Sequence, residues 1–300
     1  MTTLVKSGNP DIETPATPPG RRRRLRTTRM MLSSRRTRIL LCLLIALAVA
    51  SIAIPALSPY GLNQQDLLNR LQSPSGAHLL GTDSLGRDTF TLLFAGTRLS
   101  LLAGLLAVGT AVVAGVPSGL LAGYRSGWIR ALGDLFSDTL LSLPPLIIAL
   151  AVVGAYGGGV VPAMLAVGIT MAPRFFRVTR GVASSVAKES YVEAARAIGC
   201  RTSRILGHHV LANSIAPILV QVSFSIGLAI IAEASLSFLG VGAQPPAVSL
   251  GTMARDAFTH VRESSFAVFP PCLMIALIMF LFASLGDSLR DTLASGGDKL

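Results

Sequence analysis

The chain has 300 residues, of which 51% are hydrophobic and only 14% charged, and its mean hydropathy is +0.61. Such a composition is too apolar for a soluble domain of this length and describes an all-α protein that crosses a membrane several times. The net charge of +11 gathers at the ends of apolar runs rather than on a basic face carrying aromatics, which argues against nucleic acid as a partner, and Cys42, Cys200 and Cys272 have neither metal-ligand nor disulfide spacing.

Residues 1 to 20 carry Pro10, Pro15, Pro18 and Pro19 among small polar residues and are expected to be disordered. The following run, RRRRLRTTRM, continues through Arg35, Arg36 and Arg38. Nuclear targeting or nucleic-acid binding would use such a run, but its position against an apolar segment points to a cytosolic anchor beside anionic lipid. Residues 1–38 are therefore read as a cytoplasmic tail. Residues 39–57 carry no charge and approach the ~20 residues needed to cross the hydrocarbon core. The run is longer than the ~7–15 residues of a signal peptide core and lies far from the start, so it is expected to remain as the first span.

Residues 58–97 are polar and form the expected external loop. Within it HLLGTDSLGRD resembles the segment before the permease core in the dipeptide, oligopeptide and nickel branch of ABC importers, as does Arg98 followed by SLLAGLLAVGTAVVAGVPSGLLAGY. Asp83, Arg87 and Asp88 read more plainly as turn and capping residues of that loop.

The expected core, residues 98–286, holds five further spans. Leu99 to Tyr124 is uncharged, and Gly115, Gly119 and Gly123 recur every four residues, a spacing that permits close helix packing. Arg125 and Arg130 form a short basic loop. Asp134 and Asp138 follow at the mouth of the next span, where they suit either a proton or substrate site or a solvated, ion-paired pair. Thr139 to Pro173 is uncharged and too long for one crossing; Gly157, Gly158 and Gly159 divide it into two short spans, whose helices Pro144, Pro145 and Pro162 start or kink.

Residues 174–212 form the central loop. Arg174, Arg177, Arg180 and Lys188 lead into YVEAARAIGCRTSRILGHHVLAN. Glu189, Glu193 and Arg196 share a helical face, while Ala194, Ala195 and Ala197 leave room for a partner. Gly199 supplies a left-handed stop, and Thr202 or Ser203 can cap a second helix running through Ile205, Leu206, Val210 and Leu211. The product is a helical elbow. It resembles the EAA loop of ABC import permeases, matched at Glu193, Ala194, Ala195 and Gly199. Ala212 departs from the pattern where that family has proline, so the bend is softer there or made by Pro217.

Val210 to Ala232 is the fifth span, ending at Glu233 in AIIAEASLSFLGVGAQPP, which resembles the same importer branch. Glu233 either relays protons or contacts cargo, or is an acid at the outer boundary satisfied by Ser235, Ser237 and nearby backbone. Residues 240–263 form an outer loop, Ser264 to Gly286 the sixth span, and residues 287–300 a polar tail. Of the 26 Lys and Arg, five (Arg70, Arg87, Arg98, Arg255 and Arg262) fall in outer loops and 21 on the other side. The positive-inside rule then puts the elbow and both termini in the cytoplasm of a multi-pass cell-membrane protein.

The resemblance implies a type I ABC importer permease fold with six transmembrane helices. It also implies a second, homologous permease subunit, cytoplasmic ATP-binding subunits, an external solute-binding protein, and cargo such as di- or oligopeptides. Glu189, Glu193, Ala194, Ala195, Arg196, Gly199 and Ile205 would then couple to the ATPase, and Glu233 could border the path. No GxxxxGK[ST] stretch occurs, so ATP is expected on the partner subunits and neither cofactor nor catalytic residue on this chain. Two other readings compete: a proton-coupled secondary transporter using Glu233, Asp134 or Asp138, and a hydrolase using His208 and His209. Adjacent histidines on a helix point about 100° apart and do not converge on a metal.

Overall fold

The computed structural model describes residues 34–125 and 127–297. The expected disorder of residues 1–20 and the arginine run at 21–30 lie outside the described residues. Five helices are long and apolar enough to cross a membrane, and a bent pair makes a sixth crossing if counted as one span. They are α1 (Arg35–Leu57), α2 (Thr89–Tyr124), the pair α3 (Trp128–Ser142) and α4 (Pro145–Tyr156), α5 (Val160–Val186), α7 (Thr202–Phe238) and α9 (Phe269–Gly297). Two shorter helices, α6 (Ser190–Ala197) and α8 (Leu250–Thr259), connect them.

The core is α2 against α5, with α7 across both. In lipid there is little hydrophobic drive between helices, so close backbone approach through small residues supplies the association. The glycine repeat does this: a Cβ on Gly119 would stand 2.6 Å from the Phe176 carbonyl oxygen, and one on Gly123 would stand 2.5 Å from the Ala183 Cβ. Gly168 of α5 reciprocates, since its Cβ would meet the Ala107 carbonyl oxygen at 2.5 Å. Phe175, Met164, Ala107 and Ala111 are fully buried in this contact. The outer helices are less enclosed. α1 leaves Ile39, Leu43, Ile45, Val49 and Ile52 exposed, the apolar surface a lipid-facing helix requires, and is held to α9 by a buried hydroxyl pair, Thr37 Oγ1 to Ser288 Oγ at 2.7 Å.

The helix ends differ from those read in the sequence. The expected external loop ends at Asp88, because its carboxylate accepts from Thr91 N at 2.8 Å and Thr91 Oγ1 at 2.7 Å and caps α2 ten residues before Leu99. Asp83 accepts from Leu85 N and Arg87 N at 2.9 and 2.8 Å, so Asp83, Arg87 and Asp88 are turn and capping residues as expected. α5 does not stop at Pro173 but carries Arg174, Arg177 and Arg180 as helical residues to Val186. Their guanidiniums find acids there: Arg177 Nη2 lies 2.6 Å from Asp138 Oδ1, and Arg180 pairs with Asp134. The residues read as opening the central loop thus fasten α3 to α5.

The break before α4 falls at Leu143 and Pro144, with Pro145 in the first turn of α4, and the two helices meet at 89°. With 12 residues α4 is only ~18 Å long and cannot cross a ~30 Å core alone. Its companion α3 is amphipathic, with Trp128, Leu132, Leu135 and Phe136 exposed opposite the paired acids. The expected outer loop at 240–263 is partly helical, because Ser249 and Thr252 form a capping box that starts α8, and α9 continues through the expected polar tail to Gly297.

Candidate functional site

The elbow lies at the end of the bundle where α2 stops, joining α5 to α7. Lys188 ends the α5 side, and the Glu189 carbonyl opens α6 by accepting from Val192 N at 2.9 Å and Glu193 N at 3.2 Å. Glu193 in the first turn and Arg196 in the last both complement the helix dipole. At the far end Gly199 has φ +79°, Gly199 N donates to the Arg196 carbonyl at 2.9 Å and Cys200 N to the Ala195 carbonyl at 3.0 Å. These two bonds form a Schellman motif and give the sequence-predicted stop its mechanism.

The second arm begins at Thr202 with Arg201 at the N-cap and no side-chain capping bond, so the expected cap from Thr202 or Ser203 is not formed. Within this arm Ile205–Val210 is π-helical, after which α7 runs on through Ala212 and Pro217. The wider turn ends two residues before Ala212, and the helix runs on through Pro217 without a break.

The structure divides the predicted residues into two sets. Glu189, Glu193 and Ala194 are exposed, as is Ala197. Ala195 and Ile205 are buried among this chain's own apolar side chains, together with Val192 and Val210. Helix periodicity explains the difference, since positions 192 and 195 share the face turned to the bundle while 193, 194 and 197 turn away. Arg196 is also engaged within the chain: its Nε donates to the Tyr124 hydroxyl at 2.9 Å, and its guanidinium stands 4.4 Å from the Tyr124 ring centroid. It does not share a free face with Glu189 and Glu193. Tyr191 and Asn213 add a third tie, as Asn213 Nδ2 donates to the Tyr191 hydroxyl at 3.2 Å.

Sequence reasoning missed Ile198, which is 80% exposed immediately before the Gly199 turn. An isoleucine at a helix C-cap has no bundle to bury it, and that position relative to the glycine is the signal that could have marked it. It also missed Tyr124, whose role depends on a residue 72 positions away.

Glu233 lies elsewhere, near the opposite end of α7, and is 1% exposed. It accepts from Ser237 Oγ at 2.7 Å and from Ser100 Oγ of α2 at 2.6 Å. Ser235, expected to help, instead donates to the Ile231 carbonyl at 2.8 Å. Ser237 Oγ also accepts from Ala243 N at 2.9 Å, so this carboxyl group ties α2, α7 and the following loop together. The rings of His208 and His209 are 88° apart, and among the described residues no group of three or more His, Cys, Asp or Glu could hold a metal.

Comparison with known proteins agrees with this architecture. Residues 115–296 match the family described as "Binding-protein-dependent transport system inner membrane component". The chain is 38% identical over 253 residues to the dipeptide transport system permease protein DppC of Alkalihalophilus pseudofirmus, covering 84% of this chain and 83% of that one. It is 40% identical over 238 residues to the glutathione transport system permease protein GsiD of Pectobacterium atrosepticum, covering 79% of each. Its fold is similar to a chain of the MetNI methionine ABC transporter in an inward-facing conformation, with a TM-score of 0.55 and 18% identity over 68% of this chain and 97% of that one.

These matches do not support the proton-coupled alternative, and Asp134 and Asp138 are ion-paired while Glu233 is enclosed. The family is one of transport permeases rather than enzymes; its description names a binding protein, and membership among ABC importer permeases implies an ATP-binding partner. The chain belongs to the binding-protein-dependent inner membrane components, and it is a permease subunit of an ABC importer.

Proposed function

We propose that this chain forms half of a translocation unit with a second, homologous permease, and that the elbow docks on a cytoplasmic ATPase whose closure it transmits. The observation that carries the reading is the division of the elbow: Ala194, Ala197 and Ile198 face away from the bundle while Val192, Ala195 and Ile205 anchor it. Small side chains beside one protruding isoleucine suit a groove on a partner.

The elbow is linked to three long helices. It joins α5 and α7 through the chain itself and α2 through Arg196 and Tyr124. A displacement of α6 therefore loads the three helices that make the core, and ATP can bias the bundle only through contacts that differ between its two states. Glu189 and Glu193 supply exposed charge for those contacts, whereas Ala195, Arg196 and Ile205 act by holding the elbow.

The distribution of Lys and Arg supports a cytoplasmic elbow and cytoplasmic termini, with the basic tail before α1 resting on anionic lipid. The binding protein would then deliver cargo at the opposite end. Relatives named for dipeptide and glutathione transport support a small peptide as cargo. The test uses Ile198→Cys in the assembled transporter. Cross-linking of this position to the ATPase, together with uptake of a dipeptide into vesicles only when ATP is present, is the expected result. No cross-link from position 198 to the ATPase refutes the docking assignment, and ATP-independent uptake refutes the coupling.

A further inference from the structure

At the end of the bundle opposite the elbow lies a cleft of about 830 Å³, within the ~300–1,000 Å³ typical of small-molecule sites. One wall comes from residues 63–89 and the other from residues 240–259. Ser84 Oγ, donating to Asp256 Oδ1 at 2.7 Å, ties the two walls together. Four charged side chains line the cleft: Asp83, Arg87, Arg255 and Asp256. Arg87 is committed to Asp83 at 2.7 Å, and Asp256 is committed to Ser84. Among the described residues Arg255 has neither an acidic partner nor a side-chain hydrogen bond.

The backbone makes room for this guanidinium. Gly240 has φ +84°, and a Cβ built there would collide with Arg255 Nη1 and come within 3.2 Å of its Cζ. Glycine at 240 both permits the left-handed turn that ends α7 and leaves the space in which the guanidinium rests.

We propose that this cleft binds a small organic carboxylate, with Arg255 as the group that takes its charge. The proposal rests on the importer reading and deepens it by naming a recognition group on the permease. A guanidinium presents parallel N–H donors that match the two oxygens of a carboxylate, and the exposed Arg255 is open to a ligand entering the cleft. Arg87 and Asp83 cancel each other and Asp256 takes a neutral hydroxyl donor, so Arg255 is the one cation lining the cleft that has no acidic partner among the described residues.

The test uses the assembled transporter in lipid nanodiscs without its binding protein. Equilibrium binding is measured for Ala-Ala, for glutathione and for the corresponding carboxamides. At least one acid is expected to bind, Arg255→Gln to weaken it roughly tenfold or more, and Arg255→Lys to restore part of the loss. The carboxamides should bind the native complex no better than the acids bind Arg255→Gln. Binding of neither acid, equal binding by native and Arg255→Gln complexes, or equal binding of acid and carboxamide overturns the proposal. So does a loss that appears only when the binding protein is added and its docking is measured, which would assign Arg255 to an acidic protein side chain. ATP-driven uptake with the binding protein restored separates the two readings: uptake that persists while neither acid binds leaves the importer reading intact.

Discussion

The Arg196 guanidinium lies over the Tyr124 ring at 4.4 Å and its Nε donates to the Tyr124 hydroxyl at 2.9 Å, joining the short elbow helix α6 to the end of α2. A cation over an aromatic face is worth about 0.5–1 kcal/mol at an exposed site, too little to decide whether the subunit folds. Arg196→Ala and Tyr124→Ala are therefore expected to insert normally while lowering the cargo moved per ATP hydrolysed. Tyr124→Phe keeps the ring and loses only the acceptor, so its effect should be smaller. Both alanine variants transporting with native stoichiometry would remove this contact from the coupling route.

Two alanines in α6 should respond differently to the same enlargement. Ala195 is buried against the bundle, so Ala195→Trp overpacks this chain and should cost about 1–3 kcal/mol in thermal unfolding of the isolated subunit. Ala197 is exposed. Ala197→Trp should leave the unfolding temperature unchanged and instead detach the ATPase, read by co-purification. Equal destabilisation by the two changes would contradict the orientation of the helix.

Removing the Glu233 side chain strands the Ser100 and Ser237 hydroxyls, which both donate to it. Glu233→Ala should lower stability by about 1–3 kcal/mol, whereas Glu233→Gln keeps an acceptor oxygen and should be milder. Because Glu233 is enclosed and held by two hydroxyls, uptake by Glu233→Gln is expected to remain ATP-driven and to survive collapse of the proton gradient. Loss of uptake by Glu233→Gln with assembly intact would point to a direct part in transport.

Topology follows from the distribution of bases. Cysteines placed at Gly76 and Ala247 should be labelled by an impermeant reagent from outside, and one at Ser203 only after the cytoplasmic side is opened. External labelling of the Ser203→Cys protein would invert the proposed orientation.

Much of the bundle was legible in the sequence because lipid imposes a local rule: an uncharged run near ~20 residues must span, and glycines every four residues allow backbones to meet. The apolar runs, the Gly115, Gly119 and Gly123 face and the Gly199 stop all depend on near neighbours in the chain. The stretches that resemble the importer family, the EAA element among them, likewise pointed to it from sequence. The true helix ends were not legible, because they depend on distant partners. α5 continues past Pro173 since Asp134 and Asp138 receive Arg180 and Arg177, and neither pairing is implied by either segment alone. The same holds in the elbow, where the tertiary structure alone decided that Ala195 and Ile205 face the chain's own core and that Arg196 is held by Tyr124, while Ile198 stands outside. Chain-local chemistry sets which segments are helical and apolar, but which face of each is covered is decided by packing between residues far apart in sequence.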